Sequence, residues 1–309
     1  MTGAAEPAVG GAAPADDAAV PAVRRAARIG QYLQLTKPRL TTLVVVTTLV
    51  GFIEGRRGSA LDVPLLLQTI AGTFLVAAAA AALNQWAERD VDAAMRRTAR
   101  RPLPAGTLTP GQALVFGFVL LAIGSGWLAL AANPLAAALA AITAACYLLA
   151  YTPLKQVTSL ATVVGAVPGA IPPMIGWAAA RGRLDAGAWI LFGIVFFWQM
   201  PHFLAISTLY RQDYASAGVR VLSVVDPGGE STGRQSVLYA AALVPVSLLP
   251  AFIGLGGARY FAGALVLSIL YLGYSIRLLL VPDDVRRARR LFRLSLLYLP
   301  LLLLLLVTS

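Results

Sequence analysis

The sequence predicts an all-α, polytopic membrane protein with nine transmembrane helices bundled around a central cavity. Three observations carry that expectation. Of the 309 residues 58% are hydrophobic and only 13% are charged, too apolar a balance for a water-soluble chain of this length. Apolar runs of eighteen residues or so recur along nearly the whole sequence, which is the length a helix needs to cross a bilayer. These runs are continuous in Ala, Leu and Val, whereas membrane β-barrels are built from short alternating strands.

Taken in order, residues 1–30 form a cytoplasmic tail rich in Ala, Pro and Gly with no periodic apolar face, expected to be disordered, and residues 31–309 form the membrane domain. The tail lacks the basic start and apolar core of a signal peptide. Arg24, Arg25 and Arg28 open a short amphipathic segment that leads to Lys37-Pro38-Arg39. The spans are expected at 40–56, 63–86, 112–131, 135–152, 159–179, 187–209, 236–256, 260–280 and 291–307. Pro168, Pro172 and Pro173 interrupt the fifth, and a broken helix in a membrane is tolerated chiefly where neighbours or a cavity satisfy the freed carbonyls. With the N-terminus in the cytoplasm, twenty of the 25 Lys and Arg residues fall in inner loops or tails, and this excess sets the orientation. The net charge of +11 therefore reports topology and implies no nucleic-acid partner. The lone cysteine, Cys146, lies inside an apolar run and receives no function.

The polar groups concentrate in the loops after spans two, four and six. In NQWAERDVDAAMRRTARRP (84–102), Asn84, Glu88 and Asp92 recur every four residues and share one face if the helix continues. Glu88 and Asp92 can hold Mg²⁺, which binds one or two carboxylates and bridges to substrate phosphates, while nearby arginines clamp phosphate oxygens. Asp90 points away on an uninterrupted helix, so either the helix loosens or Asp90 pairs with an arginine such as Arg97.

This stretch, with YLQLTKPRLTTL (32–43), YTPLK (151–155), VVGAVPGAIPPMIGW (163–177) and FFWQMPHFLAISTLYRQDYASAG (196–218), resembles the heme O synthases, or protoheme IX farnesyltransferases. These are a branch of the UbiA-type intramembrane prenyltransferases, and the likeness runs over most of the chain after residue 30. It implies an enzyme of the cell inner membrane, with its active site facing the cytoplasm. The enzyme would transfer the farnesyl group of farnesyl diphosphate to a vinyl group of protoheme IX (heme B), with Mg²⁺ as cofactor. Membrane lipid, heme A synthase and terminal oxidase assembly proteins are implied partners. A sister activity on a quinone precursor or a chlorophyll-type acceptor is the alternative.

By the same resemblance, Asn84, Glu88, Asp92 and Lys155 are the candidate catalytic residues, with Glu88 and Asp92 holding the metal. Asp90, Arg97, Arg101, Tyr151, His202 and Asp213 are candidate substrate contacts. His202 is the single histidine, a candidate for heme iron or a propionate. Asp213 either contacts metal or diphosphate or pairs with Arg211 or Arg220. Tyr147, Tyr151 and Phe197 are candidate aromatic neighbours for an allylic cation. The chain departs from the family pattern at Ala161, where asparagine is usual, and at Val221-Leu222-Ser223, where Met-Leu-Pro is usual.

Overall fold

A computed structural model describes residues 28–309. Most of the expected tail lies outside the described residues, and 28–30 already belong to a helical segment, α1, over residues 28–35. Among the described residues nine helical segments are long and apolar enough to cross a membrane: Pro38–Gly55, Val63–Ala87, Pro110–Ala131, Pro134–Val157, Ala161–Arg181, Ala186–Leu209, Glu230–Phe252, Ala258–Leu280 and Val285–Val307. The protein is thus a multi-pass membrane protein. Two helices start about six residues earlier than hydropathy suggests, at Glu230 and Val285. Polar and basic residues end a hydrophobic run without ending a helix. The true starts are set by Gly229, held at φ 73°, and by Asp284, whose carboxylate accepts from the backbone N–H groups of Arg286 and Arg287.

In chain order, α2 (Pro38–Gly55), α3 (Val63–Ala87), the short α4 (Arg89–Ala94) and α5 (Pro110–Ala131) precede a composite fourth span. That span is α6 (Pro134–Ala145), a six-residue π-turn (Cys146–Tyr151) and α7 (Thr152–Val157). The π-turn was not evident from the sequence. Pro153 brings no N–H to the ladder, and Thr152 Oγ1 donates to Tyr147 O at 2.8 Å inside the widened turn. The fifth span is broken, as its prolines predict: α8 (Ala161–Ala170) and α9 (Pro172–Arg181) meet at Ile171. Gln199 donates to Ala166 O at 2.7 Å and Thr48 Oγ1 to Pro172 O at 3.2 Å across the break, the satisfaction a bilayer demands. The chain continues through α10 (Ala186–Leu209), α11 (Arg211–Ser216), α12 (Leu222–Val225), α13 (Glu230–Phe252), α14 (Ala258–Leu280) and α15 (Val285–Val307).

Small residues set a close helix contact. A Cβ on Gly51 would sit 1.9 Å from Pro173 O, and one on Gly176 would sit 1.9 Å from Thr48 O, so α2 and α9 touch backbone to backbone. In the other half, α10 packs on α13 and α15. Buried phenols there are all partnered: Tyr260 donates to Ser247 O, Tyr271 to Trp198 O, and Tyr298 shares a bond with Ser268. First and last spans are tied where α2 ends, since Arg57 pairs with the buried Glu54 at 2.8 Å and donates to Leu306 O at 3.0 Å. The opposite ends of the helices carry the three polar loops.

Candidate active site

The site is built at the end of α3. The helix loosens at Glu88 (φ −101°) and resumes as α4, yet Glu88 N still bonds Asn84 O and Asp92 N still bonds Glu88 O. Those two i→i−4 bonds keep Asn84, Glu88 and Asp92 on one face, and all three are buried. Asp90 is turned outward with its side chain 88% exposed, and its nearest cation is Arg89 at 3.7 Å. Of the two alternatives for Asp90 the helix loosens, and the pairing with Arg97 is not formed: Arg97 is exposed and its guanidinium lies over the Tyr210 ring, 5.1 Å from its centroid. Neither Asp90 nor Arg97 is brought into contact with the buried carboxylates.

After Met95 the backbone turns back, held by Thr98 Oγ1 donating to Asp92 O at 2.8 Å. This return carries Arg101 to Asp92, Nη1 to Oδ2 at 2.7 Å. From α7, Lys155 Nζ reaches Glu88 Oε1 at 2.6 Å and lies over the Tyr151 ring, which stacks on Tyr147. Asn84 is oriented from both ends of its amide. Its Nδ2 donates to Thr152 Oγ1 at 3.2 Å, and its Oδ1 accepts from Tyr147 OH at 3.3 Å and from Lys37 Nζ at 2.8 Å.

Lys37 is the residue that sequence reasoning missed, having been counted only among the topological charges. Pro38 opens α2 and disfavours helical backbone at the residue before it, and Lys37 adopts the left-handed region, φ 46°. Part of its stem is exposed, but its ammonium is enclosed. Burial, reinforced by the nearby Arg101 guanidinium, pulls the Lys37 ammonium from its ordinary 10.5 down to about 7, against the opposing influence of Glu88 and Asp92. The TKPR segment within 32–43 was the signal that could have found it.

The third loop closes over the first two. Arg220 N donates to Lys155 O at 2.9 Å, and Ser216 Oγ to Ala94 O at 3.3 Å. Asp213, on α11, is half-buried. The expected alternative for it, a salt bridge to Arg211 or Arg220, is not formed, and Arg211 pairs with Asp283 instead. Ala161 and Val221, at the two departures from the expected pattern, line a space of about 20 Å³ together with Tyr151, Lys155 and Arg220. That is room for about one water. Nearby, the Ser223 hydroxyl is buried without a partner.

His202 stands apart from these charges. It sits on α10 between Trp198, Phe203 and Phe292, and its Nδ1 is 2.7 Å from Ser295 Oγ of α15. Phe197 packs against Phe196 and Tyr239.

The cluster thus pairs Arg101 and Lys155 with two buried carboxylates and holds a third basic group, Lys37, beside them on Asn84. Among the described residues no three metal-ligating side chains converge. Two carboxylates nevertheless suit Mg²⁺, which keeps waters and takes further oxygens from substrate phosphates. The donor set fits in a second respect: each carboxylate has a cation beside it, Lys155 at 2.6 Å from Glu88 and Arg101 at 2.7 Å from Asp92, groups suited to the phosphates that such an ion would bridge.

Comparison with known proteins agrees with this geometry. A protoheme IX farnesyltransferase of Solibacter usitatus is 48% identical over 279 residues, spanning 88% of this chain and 95% of the relative. One from Koribacter versatilis is 44% identical, spanning 92% of this chain and 94% of its own. Among solved structures, a digeranylgeranylglyceryl phosphate synthase superposes with TM-score 0.76 at 18% identity, over 91% of this chain and 97% of its own. A UbiA homolog from Archaeoglobus fulgidus bound to DMAPP and Mg²⁺ superposes with TM-score 0.62 at 16% identity, over 90% of this chain and all of its own. The model of the UbiA prenyltransferase family matches residues 44–297, and the chain belongs to that family.

Proposed function

We propose that the protein transfers the farnesyl group of farnesyl diphosphate to a vinyl group of heme B, yielding heme O and diphosphate. The observation that carries the transferase half is the pairing of Arg101 with the buried Asp92 and of Lys155 with the buried Glu88, with Lys37 held beside them on Asn84. The acceptor and the farnesyl chain come from the relatives, which are named protoheme IX farnesyltransferases.

Chemically, the allylic C–O bond must break with its electron pair leaving on the diphosphate. Glu88 and Asp92 would hold Mg²⁺, which when bound draws charge off the diphosphate oxygens. Asn84, fixed through Thr152 and Tyr147, orients Lys37 beside them. Lys37, Lys155 and Arg101 are placed to neutralise the leaving group, and a preorganised donor of this kind contributes about 10²–10³ in rate. Arg101 supplies a planar fork suited to two phosphate oxygens, and Lys155 a compact point charge. The stacked Tyr147 and Tyr151 offer π-faces to the developing allylic cation. Attack by the vinyl π-electrons forms the new C–C bond and moves the positive charge to the carbon next to the porphyrin ring, where it is discharged by adding water and releasing a proton; no covalent enzyme intermediate is required.

The excess of basic residues on the loops of this face supports a cytoplasmic site in a cell inner membrane. Heme A synthase and terminal oxidase assembly proteins are the partners proposed to receive the product. The test is purified protein with farnesyl diphosphate, heme and Mg²⁺, followed by diphosphate release and by chromatography of extracted hemes. Diphosphate release that depends on heme, together with a more hydrophobic heme product, is expected. Release that needs a quinone precursor instead would overturn the acceptor assignment.

A further inference from the structure

Ser295 lies in the middle of α15, and both of its polar groups are engaged with α10. Its carbonyl accepts from Trp198 Nε1 at 2.9 Å, and its hydroxyl meets His202 Nδ1 at 2.7 Å. Tyr271 of α14 fixes this register by donating to Trp198 O at 2.9 Å. The hydroxyl has a second contact: Ser295 Oγ is 2.6 Å from Phe292 O.

A serine hydroxyl has one hydrogen, and a carbonyl oxygen can only accept. Two oxygens 2.6 Å apart repel unless that hydrogen lies between them, so it is spent on Phe292 O. The remaining contact, 2.7 Å to Nδ1, then needs a hydrogen from the ring. A neutral imidazole carries only one N–H, and among the described residues no carboxylate lies within salt-bridge distance to favour a doubly protonated ring. We propose that Ser295, its hydrogen committed to Phe292 O, holds His202 as the Nδ1–H tautomer, so that Nε2 presents an open lone pair to the iron of the porphyrin acceptor. Among the described residues Nε2 has no hydrogen-bond partner, and it is not sealed from its surroundings. Ser295 is thereby a positioning residue: it sets the ring's tautomer and rotation, as the outer partners of metal-bound histidines do. The iron assignment rests on the heme-acceptor reading; the tautomer rests on the hydrogen-bond count alone.

The chain contains one histidine, so ¹⁵N-histidine labelling gives a single pair of ring signals. In detergent-solubilised full-length protein at neutral pH, Nδ1 should carry the hydrogen and Nε2 should show the shift of a bare nitrogen. An Nε2–H tautomer would overturn the proposal. Ser295→Ala should lose this preference and weaken zinc protoporphyrin IX, a diamagnetic probe with one axial position, by about 10–100-fold. Ser295→Thr, which keeps the hydroxyl, should restore both, and equal probe affinity in all three proteins would refute the positioning role. On adding the probe to wild type the Nε2 signal should move far more than Nδ1. An Nδ1–H ring whose Nε2 ignores bound porphyrin would overturn the iron assignment, while heme-dependent diphosphate release would still be free to stand or fall in its own assay.

Discussion

Replacing Lys37 by glutamine should abolish a proton uptake that accompanies binding of the prenyl diphosphate. In the free site the Lys37 ammonium titrates near 7 in place of 10.5, because burial and Arg101 oppose its charge. A displacement of that size corresponds to about 5 kcal/mol spent on charging it. A bound diphosphate supplies the missing negative charge and restores the ordinary preference for the ammonium. The sign follows. Below pH 7 the lysine is already charged and nothing is taken up. Above 7 the free protein holds it neutral and the complex holds it charged, so binding takes up a proton and affinity falls as pH rises, by up to tenfold per unit. At pH 8.5 uptake should approach about one proton, since the ligand's last phosphate ionisation, near 6, is already complete. Calorimetry of a non-reactive farnesyl thiodiphosphate at fixed Mg²⁺, in two buffers of different ionisation heat, counts these protons. Lys37→Gln should show none, with a pH-independent affinity about 10–100-fold weaker than wild type at pH 7, the scale of a lost charged hydrogen bond. A wild-type uptake near zero, or the same pH slope in both proteins, would refute the reasoning.

Asp92→Asn and Glu88→Gln should lower transfer by at least about 10²–10³-fold at matched protein levels, read by chromatography of extracted hemes. Asp92→Ala should in addition strand Arg101, now 2.7 Å from its carboxylate, and lower stability by about 3–5 kcal/mol in thermal unfolding. Asp90→Ala, an exposed change, should stay within about twofold of wild type, and a loss as large as that of Asp92→Asn would place Asp90 at the metal. Gly165→Ala puts a Cβ 2.5 Å from the Tyr151 ring, on which Lys155 rests. The displaced ring should raise KM for farnesyl diphosphate more than it lowers kcat, at a cost of about 1–3 kcal/mol in stability. Reporters fused after residue 30 and at Ser309 should lie on opposite sides of the membrane, as nine spans require; both on one side would refute the span count.

Much of this architecture is written in local sequence, because a bilayer forces each apolar run into a helix and each proline into a break that a neighbour must satisfy. The shared face of Asn84, Glu88 and Asp92, and the outward turn of Asp90, follow from helical spacing and survive the loosening at Glu88. What spacing cannot supply is which distant segments meet. Lys37 reads as one more interfacial charge until α2 and α3 place its ammonium on Asn84, 47 residues away. The partners of the carboxylates are likewise tertiary: Arg97 and Arg101 look equivalent in the sequence, and only the turn after Met95 sends Arg101 inward. The π-turn at Cys146–Tyr151 and the Ser295–His202 contact depend on packing between helices and leave no periodic trace.

The charge balance of the cluster gives Lys37 a use beyond recognition. Lys37, Arg101 and Lys155 against Glu88 and Asp92 leave one surplus positive charge when Lys37 is protonated. A prenyl diphosphate brings about three negative charges, so one divalent cation returns the site to neutrality. A second cation would leave two positive charges in excess, or one if the Asp213 carboxylate joined it, and a low-dielectric site resists either. Of the three basic groups, Lys37 is the one displaced to about 7, and therefore the one that can shed its proton cheaply to admit a second cation. Proton uptake at pH 8.5 should then depend on Mg²⁺ concentration. It should stay near about one proton if a single ion binds, and fall toward zero as a second site fills. In the second case Asp213→Asn should restore the full uptake at high Mg²⁺ by removing a carboxylate the second ion needs. An uptake that falls with Mg²⁺ in wild type and falls identically in Asp213→Asn would remove Asp213 from the metal site and leave the balance to Lys37 alone.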